Sequence, residues 1–331
     1  MKRIITLFLT LALTLSLAAC AAPGEKADDG RLQIVATLFP YYDFARAIAG
    51  GRADVTLLLS PGREAHSFEP TPLDAVTISE ADVFLYNGGE GEYWVEEMLD
   101  AAGEHIAVKA RMMDYVDALG EEFSEGMQGA DEHDHDHDHS DHDHDDGEEH
   151  DSDEIEYDEH IWTSPKNAAI LCRAVCEAIC KADPANEDFY RANCDDYCAQ
   201  IEALDARFSD LCESAPRKLL IFADRFPMLY FCREYGLDYR AAFHGCSGDT
   251  EPSLATIKFL IDKVEDENIP VVYTIDFGTK KVAAVVSECT GAAIETLYSM
   301  QTVSRADFDA GETYLTLMER NFEALRKGLN A

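Results

Sequence analysis

Short apolar runs rich in β-branched residues alternate with helix-like segments along most of this chain. The runs cover residues 32–38, 55–59, 83–86 and 106–108 in the first half, and 219–222, 239–243, 271–275 and 293–297 in the second. Strands that alternate with helices form parallel sheets through βαβ units. The sequence therefore predicts an α/β protein with two lobes, each a parallel-rich sheet flanked by helices.

A sustained helical pattern separates the two halves. Apolar side chains from Tyr190 to Leu211 recur at alternating spacings of four and three residues, which is the period of one face of a helix. A continuous helix over 186–214 would be ~43 Å long at 1.5 Å per residue, enough to reach both halves. We predict an N-terminal lobe over 31–185, this connecting helix over 186–214, and a C-terminal lobe over 215–331. A stiff connection of this kind would restrain opening and closing of the lobes.

The first twenty residues have the pattern of an export signal. Two basic residues precede an apolar run that is too short to cross a bilayer comfortably, and small residues stand directly before Cys20. This ending resembles the bacterial lipobox. We predict a lipoprotein signal peptide over 1–20, lipidation of Cys20, and a flexible tether over 21–30, which has no apolar period. An ordinary cleaved signal with an incidental cysteine, or a single membrane anchor, is the alternative.

Residues 131–159 interleave histidine with aspartate and glutamate and contain almost no apolar side chain. Such a segment cannot build a core, so we predict a disordered, solvated loop inserted in the N-terminal lobe. Neutral imidazole is the commonest ligand for borderline metals, and the loop should bind zinc, copper or nickel weakly without selecting one ion. The accessory metal ligands of this loop are His133, His135, His137, His139, His142, His144 and His150.

The net charge of −38 argues against nucleic acid as a partner, because phosphate binding needs clustered Lys and Arg. It fits a surface that collects cations, or simply an exported protein kept soluble by its acidity. Of the ten cysteines, nine follow Cys20 and cannot all pair within one chain. Two sets recur every four residues and therefore lie on one helix face each, namely Cys172, Cys176 and Cys180, and Cys194 and Cys198. We interpret these as packing residues, with a metal site built from the thiols as the alternative.

A selective metal site needs ligands in fixed positions, and four of the eleven histidines lie outside the acidic loop: His66, His105, His160 and His244. His66 is in a loop that leaves the carboxyl end of the strand at 55–59, where α/β sheets hold ligands. His160 stands directly before a helix. Either histidine alone could equally be a packed core residue.

Several motifs resemble the solute-binding proteins of zinc and manganese ABC importers. They include Pro61-Gly62 through His66, His160-Ile161-Trp162 with Ser164-Pro165-Lys166-Asn167-Ala168, and Asp183-Pro184-Ala185-Asn186. The resemblance covers nearly the whole mature chain. It implies two α/β lobes joined by one rigid helix, with a metal between them held by His66 and His160. It also implies a carboxylate from the second lobe, Asp276, for which a helix N-cap is the alternative role.

The fourth ligand position departs from that family, because our alignment places Ala223 where zinc importers usually have His and manganese importers Glu. Asp224 is the nearest donor, although Arg225 beside it also suits a structural ion pair. His244 and Glu251 could instead reach the site from the next loop. A bound water could also complete the shell.

The resemblance implies an extracytoplasmic lipoprotein, a monomer by family expectation, that captures a divalent metal and delivers it to the permease of an ABC importer. Its lipid would hold it at the outer face of the bacterial cytoplasmic membrane, or in the periplasm. The histidine-rich loop favours zinc over manganese, since imidazole tracts bind manganese weakly. A manganese receptor and an extracellular metal-buffering or adhesin lipoprotein are the alternatives. We predict no enzyme activity, because the chain lacks a His-Glu-x-x-His helix and a Gly-x-Ser-x-Gly elbow.

Overall fold

Two four-stranded parallel sheets form the centre of the molecule. The computed structural model describes residues 30–63, 68–102, 106–128, 156–245 and 251–330. The first sheet has the order β2-β1-β3-β4 and the second β6-β5-β7-β8. The strands are β1 (Leu32–Ala36), β2 (Ala53–Leu57), β3 (Val83–Tyr86), β4 (Val108–Arg111), β5 (Leu219–Phe226), β6 (Asp238–His244), β7 (Val271–Ile275) and β8 (Ala293–Leu297).

Helices connect successive strands, as parallel pairing requires. Many begin at a Ser or Thr whose side chain accepts a hydrogen bond from the first turn, for example Thr71, Ser164 and Ser253. The helices are α1 (Phe39–Ala49), α2 (Pro72–Ser79), α3 (Trp94–Ala102), α4 (Pro165–Ala182), α5 (Glu187–Ser214), α6 (Leu229–Tyr235), α7 (Leu254–Asp266), α8 (Lys281–Thr290), α9 (Arg305–Ala310) and α10 (Tyr314–Leu329). Within the described ranges, no helix combines the length and apolar character needed to cross a membrane.

The central strands of each sheet are buried on both faces. Ile34 of β1, which is fully buried, pairs with Val55 on one side and Val83 on the other. In the second sheet, Phe222 of β5 pairs with Ala241 and Tyr273. Apolar residues on both faces are typical of parallel sheets covered by helices. This architecture confirms the predicted fold class.

Helix α5 contains 28 residues, one fewer than predicted, and spans ~42 Å at 1.5 Å per residue. It is bonded to the first lobe through Asn193, whose Nδ2 donates to the carbonyl of Ile48 at 2.9 Å. Toward its other end, Phe208 packs edge-on against Phe231 and Phe322 of the second lobe, with ring centroids 5.0 and 5.4 Å apart. The helix is therefore fixed to both lobes.

The buried carboxylate of Asp43 ties three helices together. Its Oδ2 accepts from the hydroxyl of Tyr197 on α5 at 2.5 Å and from the backbone N–H of Tyr314 on α10 at 2.8 Å. Its Oδ1 accepts from Arg46 at 2.8 Å.

The predicted limits of the lobes remain a prediction, and the predicted signal peptide, most of the tether and most of the acidic loop lie outside the described residues. The prediction of a solvated loop was wrong for its last two residues, because Asp158 and Glu159 are buried and the N–H of Asp158 is bonded to the carbonyl of Leu119.

Candidate metal centre

His160 is held in one orientation by Asp158, two residues before it. The imidazole is 2% exposed, and its Nδ1 lies 3.0 Å from Oδ1 of Asp158. The same oxygen accepts the backbone N–H of His160 at 2.8 Å. Nδ1 is placed to donate to this carboxylate oxygen, and in that tautomer of the neutral ring Nε2 carries the lone pair. Metal-binding histidines are commonly oriented by a carboxylate in this way.

The charges around His160 are negative. Burial opposes the imidazolium, but the charge of Asp158 and its hydrogen bond, aided by Glu159 and Glu121, outweigh burial and raise the pKa of His160. The surroundings therefore stabilise a positive charge on or beside the ring, which suits a proton or a metal cation.

The second lobe reaches this ring at the end of β6. A Cβ on Gly245 would lie 3.1 Å from both Cε1 and Nδ1 of His160, so the glycine backbone packs directly against the imidazole. His244, the last residue of β6, has its Nδ1 2.6 Å from Oε2 of Glu121. The predicted alternative donor His244 therefore stands one residue from the segment that touches His160.

Asp276 follows β7 and faces the first lobe through a shared neighbour. Its Oδ1 accepts the backbone N–H of Ser299 at 3.1 Å, while the carbonyl of Ser299 accepts Nε1 of Trp162 at 2.7 Å. Burial raises the pKa of Asp276 to about 6, partly offset by the hydrogen bonds from Ser299. Helix α8 has Lys280 at its N-cap, so the alternative role of Asp276 as that N-cap is not observed.

A cavity of about 180 Å³ adjoins Asp276 and is also lined by Asp307, Ser304 and Lys280. The Asp276 carboxylate therefore borders a cavity that other polar side chains line, although most of the Asp276 side chain is buried.

Asp224 is bound by the backbone of its own lobe. The register of β5 against β6 shifts between Phe222 and Arg225, and such a bulge redirects side chains. The Oδ1 of Asp224 accepts the N–H of Arg225 at 2.9 Å, and its Oδ2 accepts the N–H of Ile275 at 3.4 Å. A Cβ on Gly278 would lie only 1.7 Å from Oδ2. The geometry is that of a carboxylate that supports the turn after β7.

The remaining predicted ligands fall into two groups. Glu251 is exposed and lies 3.3 Å from Nζ of Lys281. His66, the seven accessory histidines of the acidic loop and Cys20 lie outside the described residues. Across the residues that are described, ligand atoms of His160, Asp224 and Asp276 do not all come within 4.8 Å of one another.

The segments on either side of His66 are nevertheless placed. Gly62 donates its N–H to the carbonyl of Val303 at 2.8 Å, and Phe68 packs on Trp94 with ring centroids 5.2 Å apart. Phe68 also lines a small cavity together with Glu92 and Glu159. Because Glu159 precedes His160, the segment that follows His66 lies near the segment that carries His160.

Asp158, Ser299 and Glu121 were not anticipated as parts of the site. The Asp158-x-His160 spacing is a signal that could have identified Asp158, since a carboxylate two residues away can reach back to the ring. Ser299 and Glu121 come from distant parts of the sequence, and nothing local marks them.

Residues 34–328 match the family described as zinc-uptake complex component A, periplasmic. The chain is 32% identical over 327 residues to the high-affinity zinc uptake system protein ZnuA of Bacillus subtilis, covering 98% of this chain and 97% of that protein. It is 29% identical to the zinc-binding lipoprotein AdcA of Streptococcus pneumoniae over 99% of this chain, and spans 61% of the length of that relative.

Solved structures give a consistent result. The metal-dependent lipoprotein YcdH from Bacillus subtilis superposes with a TM-score of 0.73 at 28% identity, covering 91% of this chain and 100% of that one. The Zn(II)-bound ZnuA-like domain of Streptococcus pneumoniae AdcA gives a TM-score of 0.71 at 25% identity, with the same coverage.

Proposed function

The chain belongs to the family of periplasmic zinc-uptake components, and from this premise we propose that it captures zinc outside the cytoplasm and delivers it to the permease of an ABC importer. The observation that carries the proposal is the Asp158–His160 pair, in which a buried carboxylate holds the imidazole in one orientation, as carboxylates commonly do for metal-binding histidines. The relatives named as zinc-uptake and zinc-binding proteins support zinc over manganese.

We propose His66 and His160 as the ligands from the first lobe and Asp276 as the ligand from the second. The link from Asp276 through Ser299 to Trp162 supports this set, because it holds the carboxylate close to the segment that carries His160. Two imidazoles and a carboxylate suit zinc, which is held in proteins by nitrogen, sulfur and carboxylate oxygen.

Of the candidates for the fourth position, His244 has the best support. Its neighbour Gly245 packs on the His160 ring, whereas the oxygens of Asp224 accept backbone amides and Glu251 faces solvent beside Lys281. A water molecule remains the alternative, and it would leave the shell more open than that of a structural zinc site.

Cys20 carries a lipid that holds a monomeric receptor at the outer face of the membrane, or the chain acts in the periplasm. The histidines of the acidic loop collect zinc weakly and raise its local concentration near the selective site. The protein releases the ion unchanged and turns over no substrate.

Competitive titration of zinc against manganese tests the selective site. The protein should be compared with and without residues 131–150, and the variants His66→Ala, His160→Ala and Asp276→Ala should be set against His105→Ala as a matched histidine control. We expect one tight zinc site that persists without the loop, is lost in the three ligand variants and is unchanged in the control. Preference for manganese, or loss of all tight zinc binding when residues 131–150 are removed, would refute the assignment.

Growth of a deletion strain in metal-depleted medium tests delivery. Only a transport role predicts a growth defect that added zinc rescues and that a His160→Ala chain fails to complement. A protein that only buffers extracellular metal or binds host surfaces would show no such starvation.

A further inference from the structure

Buried thiols line the contact between α4 and α5. The spacing of four residues puts each set of cysteines on one face of its helix, and the fold turns these two faces toward each other. The Sγ of Cys194 lies 3.8 Å from the carbonyl oxygen of Cys172, and the Sγ of Cys198 lies 3.7 Å from that of Ala169. All the cysteines of the contact are free thiols, at most 5% exposed: Cys172, Cys176, Cys180, Cys194 and Cys198.

Three of these sulfurs have the spacing of metal ligands. The Sγ atoms of Cys172, Cys194 and Cys198 all lie within 4.8 Å of one another, and those of Cys194 and Cys198 are 3.9 Å apart. Sulfurs that bind one ion at about 2.3 Å in a tetrahedral shell are roughly 3.8 Å apart. In the part of the chain that the structure describes, no other group of three or more His, Cys, Asp or Glu ligand atoms comes this close.

Thiolate, rather than thiol, is the metal-binding form of cysteine. Binding of a cation at this cluster must therefore displace the protons of its thiols.

We propose that Cys172, Cys194 and Cys198 form a site for one copper(I) ion between α4 and α5, distinct from the zinc site. Thiolate ligands select soft ions, of which copper(I) is the softest of the common candidates. A set of three sulfurs suits copper(I), whereas structural zinc almost always takes four ligands. The displaced thiol protons pass to solvent, and neither copper nor sulfur changes oxidation state.

A row of thiols provides the route to this site. Cys180 lies near the charged side chains of Arg191, Glu187 and Glu177, which form ion pairs at the surface. Its Sγ is 3.9 Å from that of Cys176, and Cys176 lies about one turn of α4 from Cys172. An ion bound first at Cys180 can therefore move inward by exchange from one sulfur to the next, although the helices are closely packed.

The test is anaerobic addition of copper(I), as the sole metal, to the reduced full chain, with a copper(I) chelator present to remove ions held by imidazole. X-ray absorption at the copper edge then reports the ligand atoms. We expect one retained copper per chain with a shell of sulfur only. A shell that contains nitrogen or oxygen, or no retained copper, would overturn the proposal.

Variants locate the site. Cys194→Ala should lower copper affinity by more than the roughly 10- to 100-fold that loss of an outer-shell partner costs, while Cys212→Ala, a buried cysteine of the same helix outside the cluster, should leave it unchanged. Equal binding by both variants would refute the assignment to these thiols. If Cys194→Ala does not fold, the ligand shell of the unaltered protein decides the question.

Two further outcomes would also contradict copper(I) at this site. One is a zinc ion in a shell of four sulfurs that is lost in Cys176→Ser, because the cluster would then be a tetrahedral zinc site. The other is a disulfide within the cluster, found by peptide mapping of protein purified in air. It would contradict the proposal if it forms to the same extent whether or not copper(I) was added first.

Discussion

Glu92 is a buried carboxyl group in the short turn between β3 and α3, beside the cavity that Phe68 and Glu159 line. It is 7% exposed, and its Oε2 accepts the N–H of Gly88 at 2.8 Å. Burial raises the pKa of Glu92 from 4.5 to about 7, with the N–H of Gly88 offsetting part of that effect and the charge of Glu159 adding to it. The folded protein therefore holds this proton at a pH where the unfolded chain has lost it.

The size and sign of the effect on stability follow from this difference. Between about pH 4.5 and 7 the folded state binds one proton more than the unfolded state, so the free energy of unfolding falls as pH rises. A difference of one pKa unit corresponds to ~1.4 kcal/mol. The rise from 4.5 to about 7 therefore lowers the free energy of unfolding by about 3 kcal/mol, and this decrease is complete above pH 7. Glu92→Gln has no proton to lose. Relative to that of the unaltered protein, the free energy of unfolding of the variant should therefore increase by about 3 kcal/mol between pH 4.5 and pH 8.

Urea unfolding of the metal-free protein, followed by far-UV circular dichroism at several pH values across this range, measures the difference. Groups that titrate independently of Glu92 are present in both proteins and cancel in the comparison, whereas Glu159 is coupled to Glu92 and contributes to the measured difference. Glu90→Gln, an exposed glutamate of the same turn, is the matched control. A stability difference between Glu92→Gln and the unaltered protein that does not change with pH would refute the reasoning.

Two further predictions concern the proposed zinc site, and a third concerns the turn after β7. Asp158→Asn should weaken zinc binding by roughly 10- to 100-fold without loss of fold, because it removes the carboxylate that orients His160; zinc titration measures this, and unchanged affinity would contradict it. Zinc affinity should fall as pH drops, because protons compete with zinc at His160, whose pKa is raised, and at Asp276, whose pKa is about 6. Titrations from pH 8 to 5.5 should show a loss of affinity that steepens below about pH 6, and an affinity independent of pH would contradict the assignment. Gly278→Ala should destabilise the protein by roughly 1–3 kcal/mol, since its Cβ would meet Oδ2 of Asp224 at 1.7 Å. Thermal unfolding of the variant and of the unaltered chain measures this difference, and equal stability would show that the turn moves to accommodate the Cβ.

The order of strands and helices could be predicted from sequence, because a period of two or of about 3.6 residues is a local property. The long helix was placed to within one residue at its start, since its apolar seam begins at Tyr190 and its first turn follows Pro184. The predicted strand at 219–222 was too short, because β5 continues to Phe226 through a bulge that composition does not mark.

The site was less predictable, because its geometry depends on contacts between distant segments. The bulge in β5 turns Asp224 toward the backbone after β7, and no pattern within residues 219–227 indicates which way that side chain points. The same holds for the cysteines. Periodicity shows that each set shares a face of its helix, but only packing of α4 against α5 shows that the two faces meet.

Helix α5 is fixed to the first lobe through Asn193 and Tyr197 and to the second through Phe208. Capture of an ion within such a frame buries little additional apolar surface. Burial of apolar surface is what gives binding a negative heat-capacity change. The enthalpy of zinc capture should therefore be nearly independent of temperature, and the free energy of capture should come from the bonds to the ion rather than from closing one lobe onto the other.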